Sequence, residues 1–337
     1  FREDDYNEIP QSKKVSNFLN FENFSKTINF EIKNNLLEIL EKVCDEPLAD
    51  TSIIPMFHLC KFTREHVTVA LSGDGADEIF LGYDTYLADK LKKYFNFIPN
   101  RFKNFLSSHL HQLIPVSHSK VSLDYRLKQF LDGSILSNKE AHYWWRNIFS
   151  DKLKKEIIVD GFHENLNNPF EIYSSFFQDV SSCDFLDQVS YVDIKTWLVD
   201  SILMKVDRAS MANSLECRAP FLNHKIIEFV ASLPVSWKLN NLKKKSFLKK
   251  SQKSFLPKSI LNTKKLGFNS PISYWFNNEL NKIGKEITLD SKLKEIIKKK
   301  SIEKLWIEHE QKKVDHGYRL FGLVCLGYWL DTIERIK

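Results

Sequence analysis

The stretch HVTVALSGDGADEIFLGYDTY (66–86) decides the fold. Its first half, HVTVALSG (66–73), is a β-branched run that stops at a glycine. That pattern reads as a buried strand of a parallel sheet, because strands covered on both faces run continuously apolar. After the DGAD turn, EIFLGYDTYLADKLKKYF (78–95) reads as a helix. A strand, a short glycine loop and a helix start build sites in open α/β sheets, where ligands sit beyond the carboxyl ends of the strands.

The chain holds only ten glycines in 337 residues, and Gly73 and Gly75 flank Asp74 within this loop. Glycine lets backbone approach a ligand closely and adopt positive φ. A helix start offers free N–H groups that suit phosphate. Asp74, Asp77 and Glu78 would repel bare phosphate, so a cation between them would be needed. Mg²⁺ takes one or two carboxylates together with phosphates. Proton transfer is the other use of an acid here. An ordinary tight turn, with Asp77 and Glu78 complementing the helix dipole, accounts for the same residues. No GxxxxGK[ST] phosphate loop occurs in the chain.

Working outward, KTINFEI (26–32) alternates as a short strand, and KNNLLEILEKVC (33–44) places its leucines, isoleucine and valine on one helical face. DEPLADTSIIP (45–55) reads as an acidic turn ended by Pro55, and 56–65 as a helix. Beyond residue 90 strand signals nearly vanish. LDYRLKQFLDG, KEAHYWWRNIF and DIKTWLVDSILMKVDRASMANSL all have helical character. The expected architecture is an α/β layer over residues 1–100 followed by a mostly helical part over 101–337, with any boundary near 90–120. Trp144, Trp145, Trp197 and Trp275 read as core.

The composition, 43% hydrophobic and 13% aromatic, supports a sizeable core. FGLVCLGYWL (321–330) is about half of the ~20 residues a membrane helix needs, so no membrane association is expected. No signal-peptide pattern follows Phe1. The net charge is +6, with 43 acids offsetting 49 bases. The lysine runs at Lys243–Lys245 and Lys298–Lys300 read as solvated helix faces, so no nucleic-acid partner is expected. Five widely spaced cysteines without a CxxC fit a reducing, cytoplasmic setting. His58, Cys60 and His66 lack the second ligand pair a zinc site needs.

Several stretches together resemble one family. LSGDGADEIFLGY (71–83), the run from DIKTWLVDSIL to IIEFVASLP (193–234), KKLGFNSPISYWF (264–276) and DEPLADTSIIP (45–55) resemble, in consistent order, the synthetase domain of glutamine-hydrolysing asparagine synthetases. The resemblance implies an α/β fold of the adenine-nucleotide α-hydrolase-like, ATP pyrophosphatase type. It implies a ligase chemistry in which the β-carboxylate of aspartate attacks ATP, giving β-aspartyl-adenylate, and ammonia from glutamine then releases AMP. ATP and Mg²⁺ are the implied cofactors.

Carried over by position, Ser72, Gly73 and Gly75 match the ATP-contacting loop, and Asp74 matches the acid tied to the adenylate. Asp77 matches an acid near substrate or Mg²⁺, and Tyr83 a tyrosine of the pocket. Asp50 and Ser52, in the acidic turn, would line the acceptor pocket. Lys245, in KKKSFLK, matches the lysine that meets the pyrophosphate charge. Asp207, Arg208, Glu216 and Arg218 read as a buried ion-pair network. Leu81 stands where glycine is common, Asn223 where aspartate is, and Thr263 where arginine is.

The family's Ser-Gly-Gly-x-Asp-Ser loop and its glutaminase domain would precede residue 1, and the chain has no adjacent glycines. FREDDY (1–6) resembles the stretch after the family's second strand. The expectation is therefore a piece of the synthetase domain that forms negligible asparagine alone, with a homodimer as one arrangement open to the full-length protein. A related amidotransferase acting on another carboxylate, or a non-catalytic binding module, are the competing readings.

Overall fold

The structure is a computed structural model that describes residues 6–28, 32–113, 123–263 and 267–336. The protein is mostly helical, with one small parallel sheet of two strands, β1 (Val69–Leu71) and β2 (Glu216–Arg218), among the described residues. Val69 pairs with Glu216, Ala70 with Cys217 and Leu71 with Arg218. This is the α/β architecture of an adenine-nucleotide α-hydrolase-like domain.

The chain divides into two compact units. The first comprises residues 1–29, 58–93 and 173–269, and the second residues 30–57, 94–172 and 270–337. The first unit carries the sheet. Ala76, Ile79, Phe80 and Val230 form a buried cluster there, against which Phe221, Ile227 and Phe247 pack. Phe80 meets Phe221 edge-on and stacks on Phe247. The second unit centres on the long helix Gly317–Ile336, where Leu320, Phe321 and Val324 are fully buried. Within it, Trp306 is buried and donates its indole N–H to Thr288 Oγ1 at 2.9 Å. Gly284 leaves the space into which that indole fits.

Several local expectations change. Ile32 begins a helix, Ile32–Val43, while Lys26, Thr27 and Ile28 have no regular structure and residues 29–31 lie outside the described residues. The following helix starts at Ile53, not after Pro55. Proline is tolerated there because first-turn N–H groups have no intrahelical partner. β1 is parallel as expected but not buried: Leu71 is 74% exposed and Val69 39%. The strand is three residues long, and its ladder runs to β2 alone among the described residues, which leaves these side chains without cover. The continuous helix expected over 78–95 is two, Ala76–Ile79 and Asp84–Phe95. The break falls where Leu81 takes φ +55°, a left-handed conformation that interrupts helix.

β2 follows immediately on the run 193–215 that reads as helical, in a part of the chain expected to be mostly helical. After the π-type turns of Ile194–Leu203 and the helix Met204–Met211, Ser214 turns at φ +53° and the chain becomes extended. Of the anticipated buried ion-pair network, Glu216 and Arg218 form an exposed pair instead. Arg218 Nε lies 2.6 Å from Glu216 Oε1, and both side chains are more than half exposed. Residues i and i+2 of a strand share a face, so these two charges meet each other in solvent. Asp207 is also exposed. Of the four tryptophans expected in the core, Trp275 is fully buried, whereas Trp144, Trp145 and Trp197 are half-buried.

Candidate functional site

The loop 72–83 hangs from the end of β1. Ser72 N–H donates to Arg218 O at 2.8 Å, which extends the ladder by one bond and fixes where the loop departs. Gly75 then turns at φ +83° to start the Ala76–Ile79 helix. A Cβ at Gly75 would overlap the Leu222 side chain, so glycine is required here by conformation and by space. Gly73, by contrast, faces open space.

The three acids of the loop go to three environments. Glu78 is buried, with its carboxylate accepting the Tyr83 hydroxyl at 2.6 Å and its backbone carbonyl accepting Ser190 Oγ at 2.9 Å. Asp77 forms an ion pair with Lys245, Nζ to Oδ1 2.9 Å, with both side chains about four-fifths buried. Asp74 is half-buried, and no hydrogen-bond or ion-pair partner is found for its carboxylate among the described residues. It does act through space on two thiols. Burial pushes the Cys60 thiol up to about 12, with smaller contributions from Cys217 and from the Asp74 charge.

Lys245 reaches the loop from the segment that starts the Ser246–Ser251 helix, and its own backbone is left-handed at φ +51°. The neighbouring Lys244 pairs with Asp84, at the start of the helix after the loop. Two of the three lysines of this run therefore bind carboxylates of the 77–84 segment, where charge patterning suggested a solvated face.

Gly82 was not anticipated as part of the site. Its N–H donates to Asp77 O at 2.7 Å, and a Cβ there would strike both the Asp77 carboxylate and Lys245 Cε. The only sequence signal was a glycine with no turn partner beside Tyr83.

The structure thus gathers Ser72, Gly73, Asp74, Gly75, Asp77, Tyr83 and Lys245 in the first unit. Asp50 and Ser52 belong to the second unit. There Asp50 Oδ1 accepts from Ser52 N–H at 2.9 Å and from Ser52 Oγ at 2.6 Å, which closes the turn before the Ile53–Arg64 helix. Lys264, Lys265 and Leu266 of the KKLGF segment, and residues 1–5, lie outside the described residues.

The donor set has features that suit a nucleotide together with a divalent cation. Ser72 Oγ is buried with no hydrogen-bond partner among the described residues, and Gly73 has free space beside it. An orphaned hydroxyl next to an open glycine suits an acceptor-rich ligand. Asp74 and Asp77 supply the hard oxygens that Mg²⁺ takes beside phosphate. Among the described residues no group of three or more His, Cys, Asp and Glu side chains converges on a metal position, so a cation would need ligand oxygens to complete its shell.

Fold and site define an adenine-nucleotide α-hydrolase-like domain whose parallel strand ends in a glycine-and-acid loop closed by a lysine. Comparison with known proteins narrows the class. The asparagine synthase family model matches residues 1–331, and the chain belongs to that family, a family of ligases. It is 32% identical over 330 residues to glutamine-hydrolysing asparagine synthetase 1 of Bacillus subtilis, covering 98% of this chain and 50% of that protein. A putative glutamine-hydrolysing asparagine synthetase of Mycobacterium tuberculosis is 28% identical over 286 residues, 85% of this chain and 42% of that protein. An amidase of Gibberella zeae, chry2, is 22% identical over 264 residues, 71% of this chain and 36% of that protein. The chain spans about half the length of the curated relatives it matches. No helix among the described residues is long and apolar enough to cross a membrane.

Proposed function

We propose that the chain is the synthetase part of an ATP-dependent asparagine-forming ligase. In this reading the protein converts aspartate, ATP and glutamine-derived ammonia to asparagine, AMP and pyrophosphate. The observation that carries it is the Asp77–Lys245 ion pair, which joins the glycine loop to a distant lysine at the end of a parallel strand.

The nucleotide, with Mg²⁺, would supply the activated phosphate to which the acceptor carboxylate is joined. The chain's own residues then divide the work. Ser72 Oγ, free to donate, would bind a phosphate or ribose oxygen, and Gly73 would let the backbone come near. Lys245 would neutralise charge as it builds on the leaving pyrophosphate. Were Lys245 to turn from Asp77 toward phosphate, the Asp77 carboxylate would be left as one that could hold Mg²⁺. Asp74, without a hydrogen-bond or ion-pair partner among the described residues, would act as base or as charge partner to the incoming ammonia. Tyr83 would shape the acceptor pocket beside the loop. The part of such a protein outside the region this chain matches would provide the ammonia.

Aspartate-stimulated exchange of labelled pyrophosphate into ATP tests this reading. The complete gene product should support exchange, and Asp74→Asn and Lys245→Ala should each reduce it by about 10²-fold or more. The 337 residues alone should show almost none. Exchange that ignores aspartate but responds to another carboxylate would transfer the site to a different amidotransferase. Undiminished exchange in both variants would refute the assignment of the site.

A further inference from the structure

Residues 229–269 of the first unit hold ten lysines and no aspartate or glutamate, so this segment alone carries more positive charge than the +6 of the whole chain. Three of these lysines are committed within the fold, Lys238 to Asp187, Lys244 to Asp84 and Lys245 to Asp77. Lys243, Lys249, Lys250, Lys253 and Lys258 have no ion-pair partner among the described residues. All but the half-buried Lys249 are exposed.

Large apolar side chains stand exposed among them. Phe229 and Trp237, each 53% exposed, both lie against Phe247, with ring centroids 5.9 Å and 6.0 Å from its own. Lys225 is one turn before Phe229 on the helix His224–Ala231. Lys250 is one turn after Phe247 on the helix Ser246–Ser251. Residues three or four apart are neighbours on a helix, so each lysine shares a face with its aromatic partner. Leu242 is 60% exposed in a tight turn, where Asn240 and Lys243 exchange backbone hydrogen bonds of 3.2 and 2.8 Å and Asn241 is left-handed. Polar residues are the usual occupants of such a turn. Here it holds a leucine out to solvent beside a lysine.

We propose that this basic, aromatic face of the first unit docks on an anionic lipid surface. Each element of the face has a counterpart in the bilayer interface. Trp237 and Phe229 suit the headgroup level, where aromatic rings settle. Leu242 suits the acyl boundary just beneath it. The uncommitted lysines meet the lipid phosphates and draw on the negative potential of the surface. The make-up of the face favours lipid over nucleic acid. Residues 229–269 contain no arginine, whose planar guanidinium is the cation suited to bases and paired phosphate oxygens. An aliphatic tip such as Leu242 offers a base nothing to stack on. Docking of this kind needs no spanning helix, and none is found among the described residues. The proposal goes beyond the ligase reading and holds whatever the glycine loop binds.

The test is flotation of the complete gene product with vesicles of phosphatidylcholine alone, and with vesicles of phosphatidylcholine mixed with phosphatidylglycerol, at low and high salt. Binding is expected only with phosphatidylglycerol present, and it should weaken as salt screens the charges. Lys243→Glu combined with Lys250→Glu should weaken it by about tenfold or more. Leu242→Ser should weaken it at both salt concentrations, because apolar insertion is not screened. Lys299→Glu combined with Lys300→Glu makes the same change of charge on an exposed part of the second unit and should leave binding unchanged. Failure to bind phosphatidylglycerol vesicles, equal binding to both vesicle types, or an equal loss in the two lysine pairs would overturn the proposal. Tighter binding of a single-stranded oligonucleotide than of the vesicles would overturn it too, and would make the face a nucleic-acid surface. The unsubstituted protein on the two vesicle types decides the matter should a variant fail to fold.

Discussion

Gly82→Ala is the sharpest probe of the site. Gly82 is not in the left-handed region, so alanine meets no backbone penalty there. It fails only by contact, because its Cβ would fall within 3 Å of the Asp77 carboxylate and of Lys245 Cε. Relieving that overlap means moving both ends of the ion pair. Forcing one carbon into a packed site costs roughly 1–3 kcal/mol. Separating a pair that is about four-fifths buried adds a further contribution of order 1 kcal/mol, above the value for surface pairs. The expected destabilisation is about 2–4 kcal/mol. Urea titration followed by tryptophan fluorescence and far-UV circular dichroism would measure it, provided the two transitions coincide. The discriminating arm is a double-mutant cycle. In a Lys245→Ala background the Cε contact is gone and Asp77 is free to swing, so Gly82→Ala should then cost less than about 1 kcal/mol. An equal cost in both backgrounds would refute the claim that Gly82 seats this pair.

Other consequences follow from single contacts. Tyr83→Phe removes the hydroxyl that meets the buried Glu78 carboxylate, and should destabilise the chain by roughly 1–3 kcal/mol, measured by urea titration. The same change in a Glu78→Gln background should cost less, since the neutral amide needs its partner less. Leu81→Gly relieves about 1 kcal/mol of left-handed strain but empties a fully buried leucine site worth about 2–5 kcal/mol. Net destabilisation in urea is expected, and a stabilised variant would contradict the burial seen here. Burial holds His316 down to about 4, with Arg319 adding to the effect and Glu308 opposing it. The unfolded state therefore binds the extra proton first. Above pH about 6.5 this group contributes nothing to the pH slope, and between about 6.5 and 4 stability falls by roughly 3 kcal/mol as pH drops. His316→Asn should flatten that slope in pH-dependent urea titrations, and an unchanged slope would assign the acid sensitivity to other groups.

The parts of this protein that were legible in its sequence are those with strong local chemistry. The β-branched run into Gly73 and Gly75 marks a strand and a turn because few other patterns join those residue types. β2 was not legible. Two of its three residues are charged, it follows a helix after a turn of four residues, and its extended state is held by the ladder to β1, a partner far away in sequence. Propensity is overridden there by pairing. The break in the expected 78–95 helix was hidden for a related reason. Leucine is a helix former, and only its resemblance to a position where glycine is common hinted that Leu81 would turn left-handed. Lys245 illustrates a third limit. A run of three lysines looks like a solvated face until two acids from a loop 160 residues earlier arrive to meet Lys244 and Lys245.

The fates of the loop's acids bear on which of them can do chemistry. Three carboxylates within five residues would repel one another if all faced one ligand. The fold prevents this by giving each a different neighbour. Glu78 turns inward, where Tyr83 and Ser190 hold it and its peptide carbonyl. That commitment makes it part of the frame, since a buried carboxylate is costly to uncouple from its partner. Asp77 is charge-neutralised by Lys245, so the pair presents little net charge until an anion draws the lysine away. Asp74 alone keeps a half-exposed carboxylate with no hydrogen-bond or ion-pair partner among the described residues. An anionic ligand arriving at the Ser72 hydroxyl would thus face one half-exposed carboxylate, with Glu78 turned inward and Asp77 paired, and a lysine able to move toward it. The loop can admit phosphate despite its acids because the fold has already spent two of them on its own residues.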